Sequence, residues 1–209
     1  MKKLLWVILF IILPLFTFAQ DGQKINAGLN MSFGSHYFDG KVHDPVSRDL
    51  GFGYEFNYLF FFGLELGFKG GVFCQKVEYE NNITEKSIRD TYSGNYWAPF
   101  IAPKIYIPVS YSRKHDRSRY IFLENRFSFT RMNLNMNKIE GMTGNAHNNS
   151  IQYEIKAGYQ FPIGDKWGIA CWVGYNTFDI AKVKPEVIRF KNTTPIQIGV
   201  GLSYLVKRK

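Results

Sequence analysis

Apolar and polar residues alternate at every second position in eight segments of this chain. In the clearest segment Ile151, Tyr153 and Ile155 share one face, while Gln152 and Glu154 share the other. This period of two is typical of β-strands with one apolar face. The segments are residues 23–33, 51–60, 64–79, 96–109, 120–134, 151–161, 167–175 and 196–204. Most are near the length of about 9–11 residues that a tilted strand needs to cross a membrane.

Two segments interrupt the pattern. The third slips in phase near Gly70 and Gly71, where we predict a β-bulge. The fourth contains Pro99, Pro103 and Pro108, and proline is normally excluded from a fully paired strand. We therefore expect these two strands to be the least regular.

The connections between the segments alternate in length. Four are long and polar: residues 34–49, 80–95, 135–149 and 176–192. Three are short: residues 61–63, 112–118 and 162–166. Outer-membrane barrels have short turns at the periplasmic end and long loops at the external end. The eight segments and this order of long and short connections predict an all-β fold: an eight-stranded antiparallel up-and-down transmembrane β-barrel.

Alternation alone leaves the direction of the apolar face open, because a soluble lipocalin-like binding barrel turns that face inward. Three features favour the inverted, membrane arrangement. The polar face is rich in glycine, which suits a narrow interior and weakens a solvated sheet. It also carries charges of both signs. Aromatic residues, among them Tyr96, Trp97, Tyr120 and Trp167, gather near the strand ends, as in the girdles of membrane barrels.

The charges on the polar face predict a lumen filled by ion pairs. Eight strands enclose just enough space for side chains, and buried charges must be paired. The predicted network comprises Lys24, Glu55, Glu65, Lys69, Lys104, Glu124, Arg126, Glu154 and Lys156. Its near balance of signs favours a structural role over ion transport.

The N-terminus has the pattern of a cleaved signal peptide. Lys2 and Lys3 precede an apolar run over residues 4–18, which is too short for a spanning helix, and Ala19 offers a cleavage site. We predict a signal peptide at residues 1–19 and one barrel domain at residues 20–209. Export of this kind agrees with a location in the bacterial outer membrane.

The basic composition changes the expected partners. The formal net charge is +9, and for an exported chain anionic lipid headgroups are better partners than nucleic acid. The last external loop carries Lys182, Lys184, Arg189 and Lys191. Either these residues are a solvated loop, or they contact phosphates of surface glycolipid. A second basic turn, residues 113–117, faces the periplasm and offers a surface for a protein partner.

The two cysteines are predicted to be free thiols despite the oxidising compartment. Cys74 lies on the third segment and Cys171 on the seventh, which are opposite walls of an eight-stranded barrel. A disulfide requires Cα atoms within about 7 Å.

Several of these features together resemble a known family. They are the start of the mature chain after Phe18 and Ala19, the repeat at residues 51–56, the proline-containing strand and the closing residues 198–204. The chain resembles the outer-membrane β-barrel domain family of Bacteroidota-type bacteria, including PorT-like members. The resemblance implies an eight-stranded barrel, mostly of unassigned function, and PorT-like members are associated with protein secretion. We expect a structural or interaction role, as an accessory of secretion or envelope assembly.

An enzymatic alternative is a lipid-modifying barrel. His36 with Ser32, or His147 with Ser150, supplies the base and the hydroxyl that such chemistry needs. No motif for a metal or cofactor is present, so neither is predicted, and we expect a protein without catalytic activity.

Overall fold

The computed structural model describes residues 22–33, 41–43, 47–58, 61–81, 86–112, 117–137, 143–178 and 196–207. The predicted signal peptide and the loop with Lys182, Lys184, Arg189 and Lys191 lie outside these ranges. The strands are β1 (Gln23–Phe33), β2 (Lys41–His43), β3 (Ser47–Tyr58), β4 (Phe62–Asn81), β5 (Lys86–Ser112), β6 (Arg117–Asn135), β7 (Asn145–Pro162), β8 (Trp167–Asn176) and β9 (Ile196–Lys207). Within the described ranges, no helical segment is both long and apolar enough to span a bilayer.

Eight of the strands form a closed antiparallel barrel. The order of neighbours is β4-β3-β1-β9-β8-β7-β6-β5, and β5 pairs again with β4 to close the ring. The three-residue strand β2 extends this wall, because it pairs with β4 beyond the end of β3. The predicted eight-stranded up-and-down barrel is therefore confirmed.

The apolar face of the barrel points outward. Ile151 is 73% exposed and Ile107 is 57% exposed, whereas the charged side chains of Glu55 and Lys156 are 0% and 1% exposed. Exposed apolar side chains around a polar interior are the arrangement of a membrane barrel. The inverted orientation is confirmed, and the lipocalin-like alternative is wrong for this chain.

Several strands extend well past the length that a membrane requires. β4 continues to Asn81 and β5 begins at Lys86, while β6 continues to Asn135 and β7 begins at Asn145. The prediction of long loops is therefore wrong for residues 80–81, 86–95, 135 and 145–149, which belong to strands. Outward residues there, such as Ser93 and Asn145, are polar, but the backbone groups pair across the strands. The three short connections are confirmed and mark the opposite end of the barrel, which the sequence analysis assigns to the periplasm.

The predicted bulge near Gly70 and Gly71 is absent from the structure. Both glycines pair in unbroken register with β3 and β5. The phase does not slip, because Val72 points outward and Phe73 points into the barrel. A buried aromatic residue on the inner face created the false signal. A register shift occurs instead in the proline-containing strand, between Pro108 and Ser110.

Two predicted girdle residues also lie inside the barrel. Tyr96 is 3% exposed, and the ring of Tyr120 packs 5.6 Å from that of the buried Tyr106. Trp97 and Trp167 face outward as expected. The two cysteines are exposed free thiols on β4 and β8, the third and seventh barrel strands, as predicted.

Candidate functional site in the barrel lumen

Cross-strand pairing brings the nine predicted charged residues onto one inner wall. One row joins Lys24, Glu55 and Glu65 on β1, β3 and β4. A second row joins Lys104, Glu124 and Lys156 on β5, β6 and β7, and Arg126 stands opposite Glu154. Lys69 lies further along β4. All nine side chains are buried.

Lys104 holds three carboxylates together. Its Nζ lies 3.1 Å from Glu55 Oε2 and 3.2 Å from Glu124 Oε2, and it also donates a hydrogen bond to Glu65. Glu55 and Glu65 stand directly opposite each other on neighbouring strands. Like charges in that position repel, so the ammonium group between them makes their burial tolerable.

Arg126 and Lys156 extend the network through the same carboxylates. Arg126 Nε lies 2.8 Å from Glu124 Oε1, and Lys156 Nζ lies 3.3 Å from that atom. Lys156 Nζ is also 2.9 Å from Glu154 Oε2, and Glu154 accepts a hydrogen bond from Lys69. The guanidinium of Arg126 lies 3.8 Å from the centre of the Phe100 ring. Each cation therefore touches at least one carboxylate.

Neutral groups complete the periplasmic end of the network. Lys24 Nζ lies 3.7 Å from Glu55 Oε1 and 4.6 Å from the centre of the Tyr106 ring. The Tyr106 hydroxyl donates to Glu55 at 2.6 Å, and Asn26 Nδ2 donates to both Glu55 and Glu65 at 2.7 Å. These donors form hydrogen bonds with most of the acceptor lone pairs of the two buried carboxylates.

Asp49 and Asp90 are two further buried charges, which the sequence reasoning missed. Asp49 accepts hydrogen bonds of 2.7 Å from Asn30 Nδ2 and from the Tyr96 hydroxyl, and Asp90 accepts one of 3.4 Å from the Tyr92 hydroxyl. The side-chain oxygen of Asn30 in turn accepts from Trp172 Nε1 at 2.7 Å. With these two residues, six carboxylates and five cations are buried among the residues that the structure describes. The alternation of β3 continues back from Gly51 to Asp49, and that signal identifies its inner face.

Three glycines on two neighbouring strands, β1 and β9, make room for Trp172. A Cβ atom on Gly28 would lie 2.8 Å from Trp172 Cη2, and one on Gly201 would lie 2.9 Å from it. A Cβ on Gly199 would approach the indole more closely still. This wall faces the charged wall, and Lys156 Nζ lies 5.7 Å from the indole ring centre. The predicted use of glycine in a narrow interior is visible at these positions.

An aromatic layer covers the external end of the network. Phe178, just after β8, places its ring 4.9 Å from Tyr96 and 5.7 Å from Phe73. Met132 and Leu134 on β6 are buried at the same end. Thr177 anchors the segment, because its amide donates to Tyr153 O and its hydroxyl accepts from Tyr153 N, each at 2.9 Å.

The space left between the charged wall and the glycine wall is about 50 Å³. That volume admits a few water molecules. Among the described residues, no group of three or more His, Cys, Asp or Glu side chains is arranged to hold a metal ion. Chemically, the lumen is suited to holding the barrel wall together by paired charges.

The residues of the enzymatic alternative are separated where the structure describes them. His147 lies on the exposed outer face of β7, and Ser150 lies on the opposite, inner face. His147 is part of the strand, whereas a loop was predicted there. His36 and the side chain of Ser32 lie outside the described part of the chain.

Comparisons with known proteins indicate the fold. The chain matches no protein-family model and no curated protein. Its structure is similar to the crystal structure of the outer membrane protein OprG from Pseudomonas aeruginosa, with a TM-score of 0.55 and 13% identity over 88% of this chain and 96% of that one. It is also similar to Neisserial surface protein A, with a TM-score of 0.48 and 14% identity over 88% of this chain and 97% of that one. The fold is thus that of small outer-membrane β-barrels.

Proposed function

We propose that this chain is a bacterial outer-membrane protein with a closed barrel and a structural or interaction role. The observation that carries the proposal is the lumen itself. Five cations and six carboxylates are buried in the described part of the lumen, and an aromatic layer covers its external end. A lumen in that state supports the wall and leaves no continuous aqueous path. The cleaved signal peptide and the location in the outer membrane belong to the same proposal.

The closed lumen is tested by planar-bilayer recording of the refolded protein. We expect almost no conductance, and a large, stable open channel would contradict the proposal. Gel mobility before and after boiling supplies the control, because a folded barrel migrates differently when unboiled. Protein that shows this shift and does not conduct is a folded, closed barrel.

The more specific role that we propose is that of an accessory protein in secretion or envelope assembly. This part of the proposal rests on the resemblance to PorT-like proteins. The proposed partners are a periplasmic or outer-membrane protein and surface glycolipid, the latter through Lys182, Lys184, Arg189 and Lys191. Deletion of the gene should reduce the amount of secreted proteins in the culture medium, and complementation with the intact gene should restore it. An unchanged set of secreted proteins, with an intact envelope, would contradict the accessory role.

The catalytic alternative is weaker, because His147 and Ser150 occupy opposite faces of β7. A base must reach its nucleophile to activate it. The lipid composition of a strain carrying Ser32→Ala and His147→Ala is expected to match that of the wild type. A change in the mass spectrum of the surface glycolipid would revive the enzymatic hypothesis.

A further inference from the structure

The outer surface of the barrel changes character at the external end of β4 to β7. Two outward rows cross these strands and consist mainly of short, neutral polar side chains. The first row is Val72, Asn95, Asn133 and His147; the second is Cys74, Ser93, Asn135 and Asn145. A shallow groove of about 470 Å³ lies along both rows. We call this surface the amide platform.

The amide platform presents donors and acceptors side by side. Asn133 Nδ2 donates to Asn95 Oδ1 at 2.8 Å, which fixes the orientation of both amides. Each carboxamide offers two donor hydrogens and an acceptor oxygen. Saccharide hydroxyls both donate and accept hydrogen bonds, so they match such a surface. Acyl chains have no hydrogen-bonding groups and do not match this surface. A stable protein interface would have an apolar core, which these two rows lack.

Two arginines and a tryptophan border the amide platform. Arg131 is exposed on β6 directly beside Trp97, one outward row nearer the apolar belt than Asn95 and Asn133. Arg48 is exposed on β3 directly beside Val72, so it continues the first row of the platform. Trp97 is 39% exposed and stacks on Phe68 at 6.0 Å. Because tryptophan is enriched at the membrane–water interface, Arg131 is placed at the depth of lipid phosphates, and Arg48 lies one outward row further from the belt.

We propose that this face binds the phosphorylated saccharide headgroup of an outer-leaflet glycolipid. Acyl chains lie on the belt, phosphates bind Arg48 and Arg131, and sugar hydroxyls bind Asn95 and Asn133. Along β5 and β6 the apolar belt is followed by Trp97 and Arg131 and then by Asn95 and Asn133, which is the order of acyl chain, phosphate and sugar in such a lipid. A phospholipid would engage the arginines alone. The inference rests on the outer-membrane location proposed above and concerns a surface distinct from the Lys182–Lys191 loop.

The test measures lipid binding to the refolded, detergent-solubilised full barrel by native mass spectrometry. The probes are rough lipopolysaccharide, which carries phosphates and core sugars, and phosphatidylglycerol, which carries phosphate without saccharide. One variant combines Arg48→Gln and Arg131→Gln, and a second combines Asn95→Ala and Asn133→Ala. Arg119→Gln is the matched control, because Arg119 is exposed on β6 near the periplasmic end.

We expect the wild type to prefer lipopolysaccharide. The arginine variant should bind both lipids about tenfold more weakly, as for the loss of one charge-assisted hydrogen bond. The asparagine variant should lose affinity for lipopolysaccharide alone, and Arg119→Gln should change nothing. Equal binding of the two lipids by the wild type, or an asparagine variant with wild-type selectivity, would overturn the inference. Each sample is checked for the heat-dependent gel shift, so that a failure to form a barrel is separated from a failure to bind.

Discussion

The buried charges of the lumen make a quantitative prediction at Glu124. This carboxylate contacts Arg126 at 2.8 Å, Lys104 at 3.2 Å and Lys156 at 3.3 Å, and it is buried. Glu124→Gln keeps the size of the side chain and removes its charge. The three cations then share fewer carboxylates, which is costly in an interior of low dielectric constant.

The expected loss is about 3 kcal/mol of the free energy of unfolding. Breaking a buried ion pair from one side costs about 3–5 kcal/mol, whereas an exposed pair contributes about 1 kcal/mol or less. The lower end of the range applies because Lys104 and Lys156 keep other carboxylate partners, and because the small cavity beside Glu124 has room for water.

The assay is chemical unfolding in lipid vesicles, followed by tryptophan fluorescence and by the gel shift. Ser128→Ala, at the next inner position but one along β6, is the neutral control and should change stability by no more than about 1 kcal/mol. The double variant Glu124→Gln with Lys156→Gln removes one charge of each sign. It should be more stable than the sum of the single losses, with a coupling of about 0.5–3 kcal/mol. A Glu124→Gln protein as stable as the wild type, or strictly additive losses, would refute the reasoning.

Three further predictions follow from the lumen and the outer wall. Gly199→Ala places a methyl group against the Trp172 indole; it should lower the free energy of unfolding by about 1–3 kcal/mol, and Trp172→Phe should partly rescue it in the same unfolding assay. Tyr96→Phe leaves Asp49 without one hydrogen bond and should cost about 1–3 kcal/mol; a variant of wild-type stability would show that this hydrogen bond contributes nothing. Denaturation in alkylating agent without reductant should give two modified cysteines by mass spectrometry, whereas a bond between Cys74 and Cys171 would contradict the strand order.

The barrel could be predicted from sequence because the alternation of apolar and polar residues has a direct physical cause. One face of each strand meets lipid and the other meets a crowded lumen, so apolar and polar residues must alternate. Glycine opposite Trp172 and charges of both signs on the polar face then identify the inside. Those features suffice for the strand count, the orientation and the identity of nine lumen charges.

The errors came from places where that rule weakens. Beyond the apolar belt the outward residues of β5, such as Ser93 and Asn95, are polar, so residues 86–95 appeared to belong to a loop although their backbone pairs across strands. At the external end of the lumen the inner residues are apolar, so Phe73 appeared to shift the phase and Tyr96 appeared to face lipid. Asp49 was assigned to a loop because it ends the polar run over residues 34–49. Contacts among side chains from non-neighbouring strands, such as Phe178 with Phe73, have no local signal at all.

The central claim is an inside-out barrel with a closed lumen, and quenching of single tryptophans tests it most directly. Trp97 and Trp167 face outward, whereas Trp172 lies in the lumen. Variants of residues 20–209, which lack Trp6, keep one of these three tryptophans and have phenylalanine in place of the other two. They are refolded into vesicles containing brominated phospholipid. Bromine should quench Trp97 and Trp167 and leave Trp172 bright, and aqueous acrylamide should also fail to quench Trp172. Strong quenching of Trp172 by acrylamide, or no quenching of Trp97 and Trp167 by brominated lipid, would contradict the account.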